Sequence, residues 1–398
     1  MPDFQRRWCL HQPLLQRPST ALALLPALVV LALALAPVRA GGARAQEDEA
    51  RSPSAALGLR MWTASSAGSS GNRVIAPAAL TLALRALGET MVIDPGSELA
   101  RLLSEGGDRS LRAARHRRGG STLVLAAAVF IDPALQIPAP RLERLRRRHA
   151  VQAVRVPLRR ASAAGRARIS RWIAARGLDP GDLARSEQPH DLLVVSTMTF
   201  AAHWSEPFMA YATEERPFTL ESGEVVSVPT MWSKRDTPFS RESDADIVEV
   251  ALRGGYFATF VLPRAVDGLP AFESGLTTAR LEGWMRGSTL RTDEVQVSIP
   301  MAAFATTADL GSALAELGVD ARGLRAPDGR EAELGAALHA TEFAMDEHGI
   351  RARSLTQIDI VIRSDPVHIV FDHPFIVFVH DRSRLLLMSR IADPRSTR

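Results

Sequence analysis

Apolar residues recur at a helical period mainly in the first half of this chain and alternate at a strand period mainly in the second half. Pro77 stands where a helix accepts proline in its first turn, while Pro263 and Pro300 end two apolar runs. Gly177 and Gly318 suit helix C-caps. The predicted helices are residues 55–63, 76–89, 97–104, 139–150, 167–177 and 308–319. The predicted strands are residues 123–131, 151–158, 191–204, 256–263, 294–300, 375–381 and 385–394. This order predicts a mixed α+β fold with large, mostly antiparallel sheets.

Residues 345–375 combine a strand pattern with a loop pattern. From residue 350 onward, positions separate at a period of two into an uncharged face and a mostly polar face. The uncharged face is Ile350, Ala352, Ser354, Thr356, Ile358, Ile360 and Ile362, and the other is Arg351, Arg353, Leu355, Gln357, Asp359, Val361 and Arg363. The run ends in Arg363-Ser364-Asp365-Pro366, which is typical of an exposed, cleavable loop. The pattern fits a permanent strand, and it also fits a loop that later becomes a strand.

The N-terminal segment has the pattern of an export signal. Residues 21–36 form a short apolar run that follows several arginines and is interrupted by Pro26. Small residues before positions 41 and 46 predict a signal peptide over residues 1–45, cleaved after Ala40 or Ala45, with a retained anchor as the alternative. Residues 46–398 contain no linker-like segment or internal repeat and are predicted to form a single domain. Cys9, the only cysteine, lies in the leader, so an exported product would have no disulfide and no thiolate site.

The charge of the chain comes from arginine. The 398 residues carry a formal net charge of +4, and Lys234 is the only lysine. Arginine-rich runs occupy residues 112–118 and 141–149, and both are predicted to be helical. One interpretation is a solvated helix face; the other is a patch that binds a polyanion or a membrane surface. The candidate patch consists of Arg112, Arg115, Arg117 and Arg118. Aromatic residues are not interleaved with these arginines, so we expect no nucleic-acid binding.

The chain carries none of the common catalytic or cofactor motifs. It contains no Gly-x-Ser-x-Gly elbow, no His-Glu-x-x-His, no phosphate-binding loop and no dinucleotide fingerprint. His368, His373 and His380 are close in sequence but have no acidic partner at a recognised ligand spacing. We interpret them as structural residues and expect no metal, no cofactor and no enzymatic activity.

Motifs spread from residue 50 to residue 394 resemble those of the serpins. The segment "NRVIAPAALTLAL" from Asn72 is similar to a helix start of that family, and "LAAAVFI" is similar to one of its strands. The further matching positions are Phe200, Trp204, Phe208, Thr213, Pro217, Phe218, Gly223, Val228, Pro229, Met231, His339, Glu347 and Gly349, followed by "FDHPFIVFV" and "LLMSRIADP". The resemblance implies a single α+β domain with three β-sheets, about eight or nine helices and an exposed reactive loop at about residues 349–370.

The resemblance also implies a function. Inhibitory serpins are attacked at the loop by a serine protease, and the cleaved loop then inserts into the main sheet and distorts the acyl-enzyme. Phe375 lies 26 positions after Gly349, a spacing that puts the scissile bond between Arg363 and Ser364. Arginine at this position selects a trypsin-like protease. We therefore expect an exported bacterial member, secreted or periplasmic and monomeric, whose partners are a trypsin-like protease and a polyanion.

The hinge of the loop departs from the family pattern. Its residues are Glu347, Gly349, Ile350, Arg351, Ala352, Arg353 and Ser354. Arg351, Arg353 and Leu355 stand where inhibitory members have glutamate and small residues, so slower insertion is expected. The shutter region retains His339, whereas Ser196 replaces an asparagine and two alanines, at 76 and 79, replace serines. The alternatives are thus a non-inhibitory binding or carrier protein of the same fold and, outside the family, a hydrolase.

Overall fold

The structure is a computed structural model that describes residues 52–65, 71–105, 111–159, 162–176, 191–309, 314–318, 324–330, 332, 338–350 and 367–395. The predicted signal peptide, Gly177, the hinge positions from Arg351 to Ser354, and the Arg363–Ser364 bond lie outside these residues. Within them, no helix has the length and apolar character needed to span a bilayer.

Seven α-helices and one 3₁₀ helix are present in the described part of the chain. They are α1 Pro53–Ala64, α2 Pro77–Thr90, α3 Glu98–Glu105, α4 Ala139–His149, α5 Ala163–Ala174, α6 Leu269–Gly275, α7 Thr278–Arg286 and the 3₁₀ helix Ala210–Ala212. Proline lies in the first turn of α1, α2, α4 and α6, where its missing N–H removes no helical hydrogen bond. Ser162 and Thr277 cap α5 and α7 by accepting a backbone N–H.

Eighteen strands lie in the same described ranges. They are β1 Arg73–Ile75, β2 Val92–Ile93, β3 Ala114–Arg118, β4 Ser121–Ile131, β5 Gln152–Arg155, β6 Leu192–His203, β7 Glu214–Thr219, β8 Val225–Arg241, β9 Ala245–Leu252, β10 Tyr256–Pro263, β11 Arg291–Pro300, β12 Ala302–Asp309, β13 Leu324–Arg325, β14 Leu338–Met345, β15 Gly349–Ile350, β16 Val367–Val370, β17 Phe375–His380 and β18 Leu385–Ile391.

The largest sheet has nine strands in the order β1-β18-β17-β10-β9-β8-β11-β16, with β7 also paired to β8. All its pairings are antiparallel except that of β11 with β16. Every residue of β17 and β18 is buried, which explains why both read as continuous apolar runs. The mixed α+β class and the mainly antiparallel sheets are confirmed.

A five-stranded sheet carries the candidate functional site. Its order is β15-β6-β4-β3. Strand β5 also pairs with β4, on the same edge as β3 but further along the strand. Two further ladders, β12 with β14 and β13 with β2, have two strands each in the described residues. One face of β6 packs on the main core through Phe200 and Ala202. Val195, which points to the opposite face, packs with Ile169 and Ile173 of α5.

Asn72 ties the start of the domain to its end. Its side-chain nitrogen donates to the Asp393 carbonyl at 2.6 Å, and its side-chain oxygen accepts the N–H groups of Ala392 and Asp393 at 2.8 and 2.9 Å. Only an amide side chain can make all three hydrogen bonds, because a carboxylate accepts but cannot donate. This accounts physically for the asparagine in the first recognised motif.

The prediction of a helix over residues 112–118 is wrong. Residues Ala114–Arg118 form β3, which pairs with Ser121–Leu125 of β4. Gly119 and Gly120 connect the two strands with φ values of +56° and +85°. Two consecutive glycines with positive φ favour a tight hairpin, and this turn signal outweighs the helical propensity of arginine.

Other helix boundaries also differ from the prediction, among them the start of α5 at Ala163 rather than residue 167. Ala308 and Asp309 belong to β12, because they pair with His339 and Leu338 of β14. Helix α5 ends at Ala174 with Ala175 as its C-cap, so it stops before Gly177. Long-range strand pairing decided the boundary at Ala308, and helix ends are in any case the least certain part of a sequence prediction.

Candidate functional site

The chain reverses direction at a turn formed by residues Asp346–Gly349. The Asp346 N–H donates to the Gly349 carbonyl at 3.1 Å, and the Gly349 N–H donates back to the Asp346 carbonyl at 3.2 Å. A carboxylate oxygen of Asp346 also accepts the N–H groups of His348 and Gly349 at 2.9 and 3.2 Å. Asp346 thus closes an Asx-type turn that directs the chain from β14 into β15.

Strand β15 begins immediately after this turn and pairs with β6. Gly349 lies opposite His203 and Ile350 opposite Ala202, in antiparallel register. The φ of Gly349 is +152°, and a Cβ atom there would lie 2.2 Å from the carbonyl oxygen of Ala202. Only glycine allows so close an approach. Ile350 is 2% exposed, so the first side chain after the turn is buried.

Three residues after β6 hold the turn in place. The indole N–H of Trp204 donates to the Asp346 carbonyl at 2.9 Å. The Phe208 N–H donates to the Glu347 carbonyl at 2.9 Å. The hydroxyl of Thr213 donates to a carboxylate oxygen of Glu347 at 2.8 Å. The motif residues after β6 and the residues before β15, which are far apart in sequence, therefore form one hydrogen-bonded unit.

Trp204 itself is fixed by aromatic packing. It is fully buried, and its ring contacts Phe208 in an edge-to-face arrangement with centroids 5.8 Å apart. The guanidinium of Arg235 lies over the Phe208 ring, 4.2 Å from its centroid. It also donates to the Glu206 carbonyl at 3.1 Å. The turn therefore rests on a rigid aromatic support.

Burial shifts the pKa values of Asp346 and His203 toward the neutral form. Burial raises the pKa of Asp346, although the N–H groups of His348 and Gly349 oppose this effect. Burial, together with the charges of Arg253 and His348, lowers the pKa of His203. Both pKa shifts have the same main cause, because burial removes the water that would stabilise the charged form.

The position of β15 defines a site for a further strand. Within the residues described, β14 pairs with β12 and with no other strand. Among the described residues, β6 pairs on one edge with β4 and on the other only with β15. A chain continuing from Ile350 in the same direction would run antiparallel along β6, on the edge opposite β4.

Comparison with known proteins identifies the family to which this chain belongs. Residues 53–394 match the profile of the family described as Serpin (serine protease inhibitor). The chain belongs to the serpin family. Among curated relatives, the leukocyte elastase inhibitor of Sus scrofa is 27% identical over 72% of this chain and 82% of its own length. Heparin cofactor 2 of Homo sapiens is 27% identical over 55% of this chain and 45% of its own length.

Solved structures agree on the fold. A crystal structure of human thyroxine-binding globulin covers 87% of this serpin and 98% of its own chain, with a TM-score of 0.73 and 17% identity. The thermophilic serpin Tengpin in its native state covers 87% of this serpin and 94% of its own chain, with a TM-score of 0.74 and 17% identity. At 17% identity, this structural similarity confirms the predicted serpin fold.

The predicted shutter residues of this serpin lie on two different ladders. Ser196 is a half-buried residue of β6 and pairs with Ala127 of β4. His339 belongs to β14 and pairs with Ala308 of β12, and its side chain is outside the described part. Ala76 is the N-cap of α2, where no side chain caps the helix, in keeping with the loss of a serine.

The predicted arginine patch lies along one edge of the five-stranded sheet. Arg112, Arg115, Arg117 and Arg118 are all exposed, the last three on β3. The hairpin turn beside them packs against Gly254, where a Cβ would come within 2.4 Å of the Arg118 carbonyl oxygen. Charged residues on an edge strand also discourage pairing with other chains, so this placement has a structural explanation beside the functional one.

Two of the three C-terminal histidines have structural partners. His373 contacts Asp372 and the Pro263 carbonyl, both at 2.7 Å, and buried His380 contacts the Thr259 hydroxyl at 2.9 Å. His368 is an exposed residue of β16. In the ranges that the structure describes, no three His, Cys, Asp or Glu residues form a group that could hold a metal ion.

Sequence reasoning missed Asp346 and His203. The spacing Asp346-x-x-Gly349 is a recognisable Asx-turn signal and could have pointed to the first. His203 lies beside the turn only because Gly349 pairs with it, and no local pattern encodes that pairing.

Proposed function

We propose that this serpin is a suicide inhibitor of trypsin-like serine proteases, cleaved between Arg363 and Ser364. The observation that carries the proposal is the antiparallel pairing of Gly349 and Ile350 with the end of β6. The first two positions of the inserted strand are already occupied in this arrangement, so insertion after cleavage would extend an existing ladder rather than start a new one.

The register of β15 indicates how the rest of the hinge would insert. Continued along β6, it would bring Thr356 opposite Ser196 and Ile360 opposite Leu192. Directly opposed residues point to the same face of a sheet. Ile350 and Ala202 point toward the main core, so the later residues of the uncharged face would do the same. Burial of each isoleucine would contribute about 1.5–3 kcal/mol.

The same register explains why the unusual hinge should slow insertion. Leu355 and Gln357 would lie opposite Thr197 and Val195, on the face that α5 covers. Larger side chains there require α5 to move while the strand enters. Inhibition depends on insertion being faster than hydrolysis of the acyl-enzyme, so we expect a mixture of trapped protease and cleaved inhibitor.

The chemistry at the cleaved bond follows from arginine. The planar guanidinium of Arg363 forms paired hydrogen bonds with the carboxylate in the specificity pocket of a trypsin-like enzyme. The catalytic serine attacks the Arg363 carbonyl carbon, the bond to the Ser364 nitrogen breaks, and the protease remains esterified to Arg363. Insertion of the loop then carries Arg363 and the esterified protease away from the released Ser364.

We propose a polyanion as a second partner. Four arginines exposed at one sheet edge support it, as does the similarity to heparin cofactor 2, whose name indicates a polyanion ligand. The predicted export signal agrees with an extracellular or periplasmic target, and N-terminal sequencing of the secreted protein tests cleavage after Ala40 or Ala45.

The deciding experiment mixes residues 46–398 with trypsin and separates the products on a denaturing gel. We expect a band at the summed mass that disappears in Arg363→Ala and persists in the matched control Arg330→Ala, an exposed arginine of another turn. Cleavage after Arg363 without a stable complex would instead favour a non-inhibitory binding protein, a role for which thyroxine-binding globulin is a precedent in the fold.

A further inference from the structure

A cleft of about 460 Å³ opens at the end of α2, remote in sequence from the hinge. It lies between the last turn of α2, the short strand β2, α3 and α4. Its walls combine arginine side chains with apolar ones, and neither the protease mechanism nor the patch on β3 uses any of them.

One wall of the cleft has an excess of positive charge. Arg141, Arg144 and Arg148 follow one another at spacings of three and four, which puts them on one face of α4. Glu89 is the only acid among the lining residues, and it accepts Arg144 at 3.1 Å and Arg148 at 3.4 Å. Arg85 and Arg141 line the cleft, and Glu89 is already paired with Arg144 and Arg148, so the lining has a net positive charge.

Arg141 stays near the cleft because it also binds the end of α2. Its guanidinium donates to the carbonyl oxygens of Glu89 and Met91 at 3.4 and 3.1 Å. An arginine has five N–H donors, so these two bonds leave others available to a ligand. The helix terminus therefore fixes the position of a cation that faces the opening.

The lining also includes the apolar residues Met91, Ile93, Ala100 and Leu103. His149 closes one end, where burial lowers the pKa of its imidazole and thereby favours the uncharged ring. A ligand that contacts both the arginines and the apolar lining residues would carry an acidic group and a short apolar body.

We propose that this cleft binds a small amphipathic anion, a sulfonate or carboxylate attached to a short alkyl or aryl group. The acid would contact Arg141 and Arg85, and the apolar group would contact Leu103 and Ile93. This proposal is independent of protease inhibition.

The test measures binding of 1-octanesulfonate to the mature protein by calorimetry. We expect saturable 1:1 binding that weakens with added salt, since screening reduces attraction between charges near a surface. Sulfate ion and the uncharged 1-octanol should each bind at least tenfold more weakly. Sulfate binding as tightly as octanesulfonate would overturn the amphipathic class, and no binding would overturn the site.

Three variants locate the ligand. Arg141→Gln should weaken binding about tenfold, the loss of one charge-assisted hydrogen bond. Arg146→Gln is the matched control, because Arg146 lies on the outer face of α4, pairs with Glu143 and has a side chain 70% exposed. Ala100→Phe fills the apolar side without removing a charge, so it should abolish octanesulfonate binding while thermal unfolding stays unchanged.

His149 reports on the site independently. An anion bound beside it favours the protonated ring, so saturation with octanesulfonate should raise the pKa of His149 in an NMR titration. An unchanged His149 titration, or equal weakening by Arg141→Gln and Arg146→Gln, would mean that the ligand binds elsewhere on the arginine-rich surface.

Discussion

The indole N–H of Trp204 donates a 2.9 Å hydrogen bond to the carbonyl oxygen of Asp346. This bond joins the end of β6 to the turn after β14, two segments separated by 142 residues of sequence. It determines where the chain enters the sheet, so the residues that hold it should control both local stability and the fate of a bound protease.

Replacement of Trp204 by phenylalanine should loosen the turn. The Asp346 carbonyl would keep only its 3.2 Å bond from the Gly349 N–H, and loss of one hydrogen bond costs about 0.5–1.5 kcal/mol. We expect a lower free energy of unfolding in urea and faster amide exchange at Ile350. Trp284→Phe is the control, because Trp284 is 1% exposed and donates to Glu242 far along the chain. If both variants accelerate exchange at Ile350 equally, Trp204 has no special role there.

Replacement of Gly349 by alanine should displace β15 from β6. Its Cβ would lie 2.2 Å from the Ala202 carbonyl oxygen, so the two strands must separate. We expect the Ile350 amide to lose its protection and trypsin to yield more cleaved product relative to complex. Gly223→Ala tests backbone strain alone, since Gly223 has a φ of +83° but no atom within 4 Å of its added Cβ. That control should lose about 1–2 kcal/mol of stability and leave the product ratio unchanged.

Replacement of Glu273 by glutamine should destabilise the fold severely. Glu273 is 4% exposed and pairs with Arg73 at 3.1 Å and Arg390 at 2.6 Å, both of which are also buried. Removing the carboxylate leaves buried Arg73 without this counter-charge and leaves Arg390 with Glu221, at a cost of about 3–5 kcal/mol. Asp328→Asn, which removes an exposed, solvent-screened pair with Arg330, should have a much smaller effect. Comparable urea midpoints for the two variants would contradict this.

Stability should decrease as the pH rises through the folded pKa of His373. Burial lowers this pKa, but hydrogen bonds to Asp372 and the Pro263 carbonyl outweigh it, so the net shift is upward. The folded state therefore binds the proton more tightly than the unfolded state. The contribution is complete below the unfolded value of about 6.5 and is lost above the raised folded value.

Urea unfolding at about pH 5.5 and about pH 8.5 measures this effect. His373→Gln should remove part of the difference, whereas His368→Gln, at an exposed position, should not. His380 acts in the opposite sense, because burial lowers its pKa to about 3 and stability is lost as the pH falls below about 6.5. An unchanged pH dependence in His373→Gln would exclude the proposed hydrogen-bonded cation.

Most regular elements could be predicted because their local patterns are unambiguous. The strands Tyr256–Pro263 and Phe375–His380 follow apolar runs, and helix Pro77–Thr90 begins at its proline. The prediction was wrong at Ala114–Arg118, where the Gly119–Gly120 turn and pairing with β4 override the helical propensity of arginine. Propensity is a weak preference, and it loses wherever a neighbouring strand offers a complete ladder.

The candidate site was predictable only in part. Glu347 and Gly349 could be named from the motif, and Trp204 and Thr213 from another motif more than a hundred residues earlier. Nothing in either motif states that the Thr213 hydroxyl donates to Glu347 or that Trp204 binds Asp346. Those contacts depend on how β6 and β14 are brought together.

The sequence by itself determined the serpin family, the α+β class and the alternation that gives residues 350–362 one uncharged face, because these depend on local order and spacing. Tertiary structure alone decided that Ile350 is buried against β6, that Asp346 closes the turn, and that Arg141 of α4 borders a cleft with Leu103. Each of these requires segments distant in the chain to meet, and a contact of that kind has no signature within a short stretch of residues.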